Sequence, residues 1–328
     1  MEFKIRNIHS WMLLQKSKEM QIESGFLIPG IEDFIELKKG GKRIVINRAI
    51  SPSLTHIAGA ITENKIACNY LLQENNYPIP AFIFANEIGK NELLFLEKFA
   101  PIVVKPFDTN KGAEIHMNVQ DISQLKQALN NVKKISTHAI LQQQASGLDY
   151  RFLVIDKKVV GVLWNEWPSV VGDGIHTIEY LLEFENEKRR TTKTVVYEKS
   201  TEMLVEIPIE GLKDLLAKSG KGLSDILPKG VKIYLGNCGN GWTGAVAHDV
   251  TDNVHPSINK MVVDLTNFLN IDIAGLDVRC DDVTKPFENS GFNIIEVNTR
   301  PSLVDHEFPL FGKSRNVTEN YLNYLFKE

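Results

Sequence analysis

The sequence predicts a protein of mixed helices and strands in two or three domains, including an α+β unit, with its chemistry carried by a carboxy-terminal pair of strands. Three observations lead there. The chain has 328 residues, more than one small core organises. Residues 101–167 run strand, helix, strand, strand, strand, the pattern of a small α+β unit on an antiparallel sheet. Near the end, IDIAGLDV and FNIIEVN flank a polar stretch holding Pro286, Asn289 and Gly291, as two strands joined by a turn would.

Composition limits the function classes. Hydrophobic residues make up 43% and charged residues 24%, as in soluble globular proteins. The net charge of -4 gives no basic surface for nucleic acid. Cys68, Cys238 and Cys280 show no CxxC spacing and the eight histidines no HxxxH spacing, which points to reduced thiols in a cytoplasm. Lys4 and Arg6 precede no apolar leader segment, and no run is long enough to span a membrane.

Along the chain, residues 26–50 suggest short strands around a Gly40-Gly41 turn. TENKIACNYLLQENN predicts a helix capped by Thr62 and ended by Asn75, Asn76 and Pro78. Lys65 lies in its first turn, where a cation opposes the helix dipole; taken alone it is a solvated surface lysine. PIVVK is an apolar strand with Lys105 at its end, stopped by Pro106. The loop after it holds Asp108, Asn110, Lys111 and Gly112, whose backbone N–H groups and cation suit phosphate oxygens. DISQLKQALNNVKK is an amphipathic helix with Asp121 and Gln124 at its start and Ile122, Leu125, Leu129 and Val132 on one face.

RFLVI and VVGVLW form a strand pair turning at Asp156-Lys157-Lys158, and Gly172-Asp173-Gly174 turns the chain into a helix beginning near Thr177. Residues 191–230 show little periodicity and predict short helices and loops. GNCGNGWTG has four glycines between 236 and 244, a density that permits close backbone approach to a ligand or ordinary tight turning. HPSINKMVVDLTNFLN is a second amphipathic helix beside the carboxylate strands, and NVTENYLNYLF a last short one.

In the final strand pair, Glu296 and Asn298 share one face while Ile295 and Val297 share the other, and Asp277 stands among Ile273, Ala274, Leu276 and Val278. Carboxylates there are costly unless a cation pairs with them. Three oxygen-bearing side chains on strands suit a hard divalent ion such as Mg²⁺. The alternative is a strand pair with polar residues on a solvated face.

Eight motifs stand in one order: NKIACNYLLQENNYPIP, VVKP, GLDYRFLV, VVGDGIHTI, GNCGNGWTG, DVTDNVHP, GLDV and IIEVN. From about Ile31 to about His306 the chain resembles the ATP-grasp superfamily, above all the ATP-grasp part of cyanophycin synthetases, and more distantly glutathione synthetase and D-alanine–D-alanine ligase. The resemblance implies an N-terminal α/β domain (1–100), a central antiparallel α+β lid (101–167) and a C-terminal α+β domain (168–328), with ATP between the last two. It assigns Lys65 and Lys105 to the ATP phosphates, with Gly112 in the loop over them. Gln142, Gln143 and Gln144 fall at the adenine hinge, Asp149 at the ribose hydroxyls and Arg151 beside the phosphates or substrate. Asp277, Glu296 and Asn298 match the Mg²⁺ ligands.

The implied reaction is ATP-dependent ligation of a carboxylate to an amine through an acyl phosphate. The loop 236–244, including Asn237, would offer N–H groups to the tetrahedral intermediate, and Arg300, Arg189 and Arg190 are candidate anchors for a substrate carboxylate, the last two read equally well as solvated charges at a helix end. Cyanophycin synthetases continue into a Mur-ligase-like domain; with the sequence ending at Glu328, the expectation is a stand-alone ligase acting on an amino acid or peptide. Ligases of this superfamily are often dimers or tetramers, so a homo-oligomer is expected. Two other readings are an ATP-grasp phosphotransferase, which stops after phosphoryl transfer, and a non-catalytic nucleotide-binding module.

Overall fold

The computed structural model describes residues 5–107, 115–197 and 200–327. Gly112 and the expected phosphate loop around it lie outside the described residues.

The amino-terminal segment forms α1 (Ile8–Glu19) and an antiparallel meander of β1 (Glu23–Ile28), β2 (Ile31–Lys39) and β3 (Lys42–Ile46). Gly40 and Gly41, both at positive φ, make the β2–β3 turn, the backbone state glycine adopts without strain. Two helices follow, α2 (His56–Glu63) and α3 (Lys65–Glu74), where one was predicted.

Next come β4 (Phe82–Ala85), α4 (Lys90–Phe99), β5 (Ile102–Pro106), β6 (His116–Val119), α5 (Ile122–Val132) and β7 (Ala139–Gln143). They build a four-stranded antiparallel sheet, order β4-β7-β5-β6, whose Ile102, Val104 and Leu141 pack on Leu125, Leu129 and Phe95. Asp121 caps α5 as expected, but Ile122 is 48% exposed and lies outside its buried face.

The chain then forms β8 (Leu148–Ile155) and β9 (Lys158–Glu166), which join a different sheet. A segment with its own small core follows: β10 (Ser169–Val171), α6 (Ile178–Thr191), β11 (Lys193–Tyr197), β12 (Ser200–Met203), α7 (Leu212–Ala217) and β13 (Lys232–Tyr234). Here β11 and β12 form an antiparallel hairpin where short helices and loops were expected. The chain closes with β14 (Val246–Asp249), α8 (Pro256–Phe268), β15 (Ile273–Cys280), β16 (Asn293–Asn298), α9 (Val304–Glu307) and α10 (Val317–Leu325).

The larger sheet has the order β14-β9-β8-β15-β16. Residues 101–167 therefore do not make one sheet: 102–143 pair among themselves and with β4, whereas 148–166 pair with carboxy-terminal strands. Successive strand residues alternate faces, and each face of the larger sheet has a distinct cover. On one, Phe152, Val154, Leu276 and Val278 pack against Ile258, Val262 and Leu265 of α8, each worth about 2 kcal/mol of burial. On the other, Leu153, Ile155 and Ile273 are covered by α1 and α10. Further along that second face the residues become Asp149, Arg151, Gly275, Asp277 and Arg279, and the cover gives way to an open cleft.

The β15–β16 register shifts between Asp277 and Val278, leaving Ile295 as an extra residue. Such a bulge re-aims a side chain. Ile294 and Val297 are both buried, while Ile295 lines the cleft, which corrects its expected placement beside Val297.

Candidate active site

The cleft encloses about 820 Å³ between the open sheet face, the end of β5, the β11–β12 hairpin and the glycine-rich loop. Lys65, Lys105, Asp149, Arg151, Asp277 and Glu296 all line it.

Lys65 reaches the cleft because the chain breaks just before it. The Asn64 side chain accepts the N–H groups of Ile66 and Ala67 at 3.1 and 3.0 Å, ending α2 and starting α3. Asn64, not Thr62, is the cap; the Thr62 hydroxyl instead donates to the Ala58 and Gly59 carbonyls. Lys65 Nζ lies 3.6 Å from Glu296 Oε1.

Lys105 is 8% exposed and donates to Gln142 Oε1 at 2.8 Å. Burial pulls its pKa down to about 8; the carboxylate of Glu296 opposes that shift and Lys65 adds to it. Gln142 Nε2 is buried with no hydrogen-bond partner among the described residues. Gln144 is occupied differently: its Oε1 accepts the Asn118 N–H at 2.8 Å and its Nε2 donates to Asn118 Oδ1 at 2.9 Å.

Asp277 stands opposite Arg151 on β8 and opposite Glu296 on β16. Arg151 Nη1 donates to Asp277 Oδ1 at 2.7 Å, and Asn298 Nδ2 to Asp277 Oδ2 at 3.3 Å. Like charges directly across a ladder repel. Here Arg151 neutralises one carboxylate and Lys65 the other. The Asp277 and Glu296 carboxylates, on adjacent strands and open to the cleft, suit a hard divalent cation, whereas Asn298, bonded to Asp277, is not among the residues that line the cleft. Among the described residues no group of three or more His, Cys, Asp or Glu side chains is placed to hold a metal.

Asp149, expected at the ribose, has its carboxylate engaged by protein. Oδ1 accepts from Arg279 at 3.1 Å; Oδ2 accepts from Trp167 Nε1 at 2.5 Å and from the Gly239 N–H at 2.7 Å. Arg279 also lies over the Trp167 ring, 4.9 Å from its centroid. Gly239 fits between β8 and β9 so closely that a Cβ would come within 2.7 Å of Cβ atoms of both Asp149 and Asn165. This glycine serves close approach of backbone to protein.

Other expected residues are not gathered here. Arg300 is exposed and does not line the cleft. Arg189 is buried, donating to Glu185 and to the carbonyls of Val205 and Gly244, so it braces the fold. Arg190 pairs with Glu183 and Glu206 at the surface. Asn237 is not among the lining residues, although Cys238, Gly239 and Asn240 are. Sequence reasoning missed Arg279 and Trp167. Arg279 was open to discovery, since it lies two residues from Asp277 on a strand and so shares its face.

Residues 62–167 match the RimK-like ATP-grasp domain, and the mixed fold with its antiparallel sheets is consistent with the ATP-grasp fold. The chain is 30% identical over 302 residues to the glutathione biosynthesis bifunctional protein GshAB of Clostridium perfringens, covering 90% of this chain and 38% of that protein. It is 34% identical over 229 residues to the cyanophycin synthetase of Crocosphaera subtropica, covering 69% of this chain and 26% of that one. A bifunctional glutathione synthetase from Pasteurella multocida superposes with a TM-score of 0.67 at 24% identity, over 97% of this chain and 43% of that one. The chain thus spans well under half the length of these relatives. No helix among the described residues is long and apolar enough to cross a membrane.

Proposed function

We propose that the chain is an ATP-dependent carboxylate–amine ligase that makes an amide or peptide bond on an amino acid or peptide. The observation that carries this reading is the convergence of Lys65, Lys105 and Arg151 on one cleft with the Asp277–Glu296 pair. The names of the relatives support the class.

A free carboxylate is a poor acyl donor, because its leaving group would be oxide. Phosphorylation by ATP makes an acyl phosphate, and the amine then displaces phosphate. Lys65 and Lys105 would hold ATP phosphate oxygens and neutralise the charge spreading over them during transfer. Arg151, fixed on Asp277, would face the same oxygens from the sheet. Asp277, Glu296 and Asn298 would hold Mg²⁺, which when bound supplies charge neutralisation and orientation of the phosphates. The Trp167–Asp149–Gly239 bonds hold the glycine-rich loop against the sheet at the cleft wall, where its backbone can face the reacting carbonyl. Three unpaired cysteines, two of them buried, suit a reducing cytoplasm.

The test is ADP release with Mg²⁺ and ATP across a matrix of amino acids and dipeptides, with mass spectrometry of products. ADP formation requiring two substrates, with a product lighter than their sum by one water, is expected. A phosphorylated product from one substrate would instead make the protein a phosphotransferase.

A further inference from the structure

The cleft face of the larger sheet changes character from one side to the other. Glu296, Asp277, Arg151 and Leu163 stand in one row across β16, β15, β8 and β9. Asp249, next in that row on β14, is held by Arg315 and does not line the cleft. The charged part of the cleft floor therefore ends at β8. Beyond it, β9 and β14 contribute Asn165 and Ala247, which are partners in the ladder. At the ordinary spacing of strands, Ala247 lies about 10 Å across the sheet from β8.

Three segments are tied together around Ala247. The buried Arg189 donates from Nη1 to the carbonyls of Val205 and Gly244, at 2.9 and 2.8 Å, joining the chain just past β12 to the end of the glycine-rich loop. Phe311 joins the segment after α9 to β14. Its N–H donates to the Ala247 carbonyl at 3.4 Å, and its carbonyl accepts the Asp249 N–H at 2.8 Å. The β11–β12 hairpin is anchored by Tyr197, whose hydroxyl donates to the Arg6 carbonyl at 3.0 Å and whose ring packs on Trp11 with centroids 5.5 Å apart. The side chains that these ties bring to the cleft are apolar: Met203, Val205, Ala245, Val246 and Leu310. At the rim stands Trp242, 87% exposed. Its turn is fixed, since Asn240 Oδ1 accepts the Trp242 N–H at 3.0 Å and Gly239 and Gly244 are bonded to Asp149 and Arg189.

Charge divides the cleft in the same way. Among the described residues, the lysines and arginines that line it are Lys65, Lys105 and Arg151, all at the charged end. The apolar end is flanked by two acids, Glu202 and Asp305, both exposed. Its imidazoles add no cation, since burial lowers His306 to about 3 and His9 to about 4. An acidic side chain placed there would meet carboxylates and no cation. An aliphatic or aromatic one would leave water for fixed apolar walls. We propose, resting on the ligase reading above, that this end of the cleft receives an aliphatic or aromatic side chain of the amino acid or peptide substrate. Val205 forms its inner wall and Trp242 its outer one, and acidic side chains are rejected.

The test takes the full chain through the same matrix of amino acids and dipeptides with Mg²⁺ and ATP, comparing leucine, phenylalanine, alanine and aspartate at each position. Leucine or phenylalanine is expected to give the highest kcat/KM at one position, about tenfold above alanine and about 100-fold above aspartate. Condensation with aspartate as fast as with leucine and phenylalanine at every position overturns the proposal and leaves the ligase reading intact. No condensation product anywhere in the matrix overturns the ligase reading, and this proposal with it. With the best pair, Trp242→Ala is expected to raise KM for the apolar substrate about tenfold while KM for ATP stays near wild type. Val205 is 37% exposed, so a longer side chain is accommodated there. Val205→Arg, which sets a cation in the apolar wall, is expected to raise the rate with aspartate relative to leucine about tenfold. Equal changes for all substrates in both variants, or no change in either, overturn the proposal.

Discussion

Arg151 and Asp277 face each other across the β8–β15 ladder and are joined by a 2.7 Å ion pair, with the guanidinium lying over Gly275. A Cβ on Gly275 would come within 2.6 Å of Arg151 Cζ. The glycine of GLDV thus clears the path by which an arginine on one strand reaches a carboxylate on the next.

Gly275→Ala should therefore push the guanidinium off Asp277 while barely disturbing the apolar face of the sheet. We expect kcat to fall about tenfold or more with a stability loss of about 1 kcal/mol. Steady-state kinetics beside a urea melt check this. Wild-type turnover would show that the Arg151–Asp277 contact has no part in the reaction.

Lys105 gives the pH dependence. Its folded pKa, about 8, lies below the ordinary lysine value of 10.5. Below about pH 8 the folded chain bears the full cost of a buried ammonium. Between the two values the unfolded chain binds more protons, so this group makes stability rise with pH. In the proposed reaction ATP binding uses the ammonium, so it should weaken over the same interval. Calorimetric titration of ATP from about pH 7 to about pH 9.5 is expected to show that loss, and Lys105→Met should remove both the affinity and its pH dependence. A flat wild-type profile would argue against phosphate binding by Lys105.

Glu296→Ala removes one of the paired carboxylates and the partner of Lys65. Turnover should vanish while the thermal melt shifts little, because the side chain opens onto the cleft. Undiminished ATP consumption in this variant would sink the metal assignment.

Asp149→Ala should act mainly on stability. It would leave the largely buried Arg279 without its carboxylate and release both the Trp167 indole and the Gly239 N–H. A loss of about 3 kcal/mol is expected, with a change in tryptophan fluorescence. A stable variant defective only in ATP affinity would return Asp149 to the ribose.

Much of the site was legible along the chain. Lys105 and the pair Asp277 and Glu296 stand on short apolar strands, where a charged residue is conspicuous and strand alternation gives its face. Lys65 was harder, since a lysine in a first helical turn is ordinary in isolation; the order of motifs singled it out. The bulge at Ile295 left no local signal, because an extra residue in one strand has meaning only against its partner. The division of residues 101–167 between two sheets was hidden for the same reason: local pattern gives strands but not their neighbours.

By itself the sequence determined many of the strands and helices and singled out the two lysines and the oxygen-bearing pair as candidates, because periodicity and residue chemistry are local properties. Tertiary structure decided how charges are matched. Asp149 is taken by groups 130, 18 and 90 positions away, and Arg189 is turned inward to brace Gly244. A charged side chain becomes structural or available according to which partners reach it through space, and only folding brings those partners together.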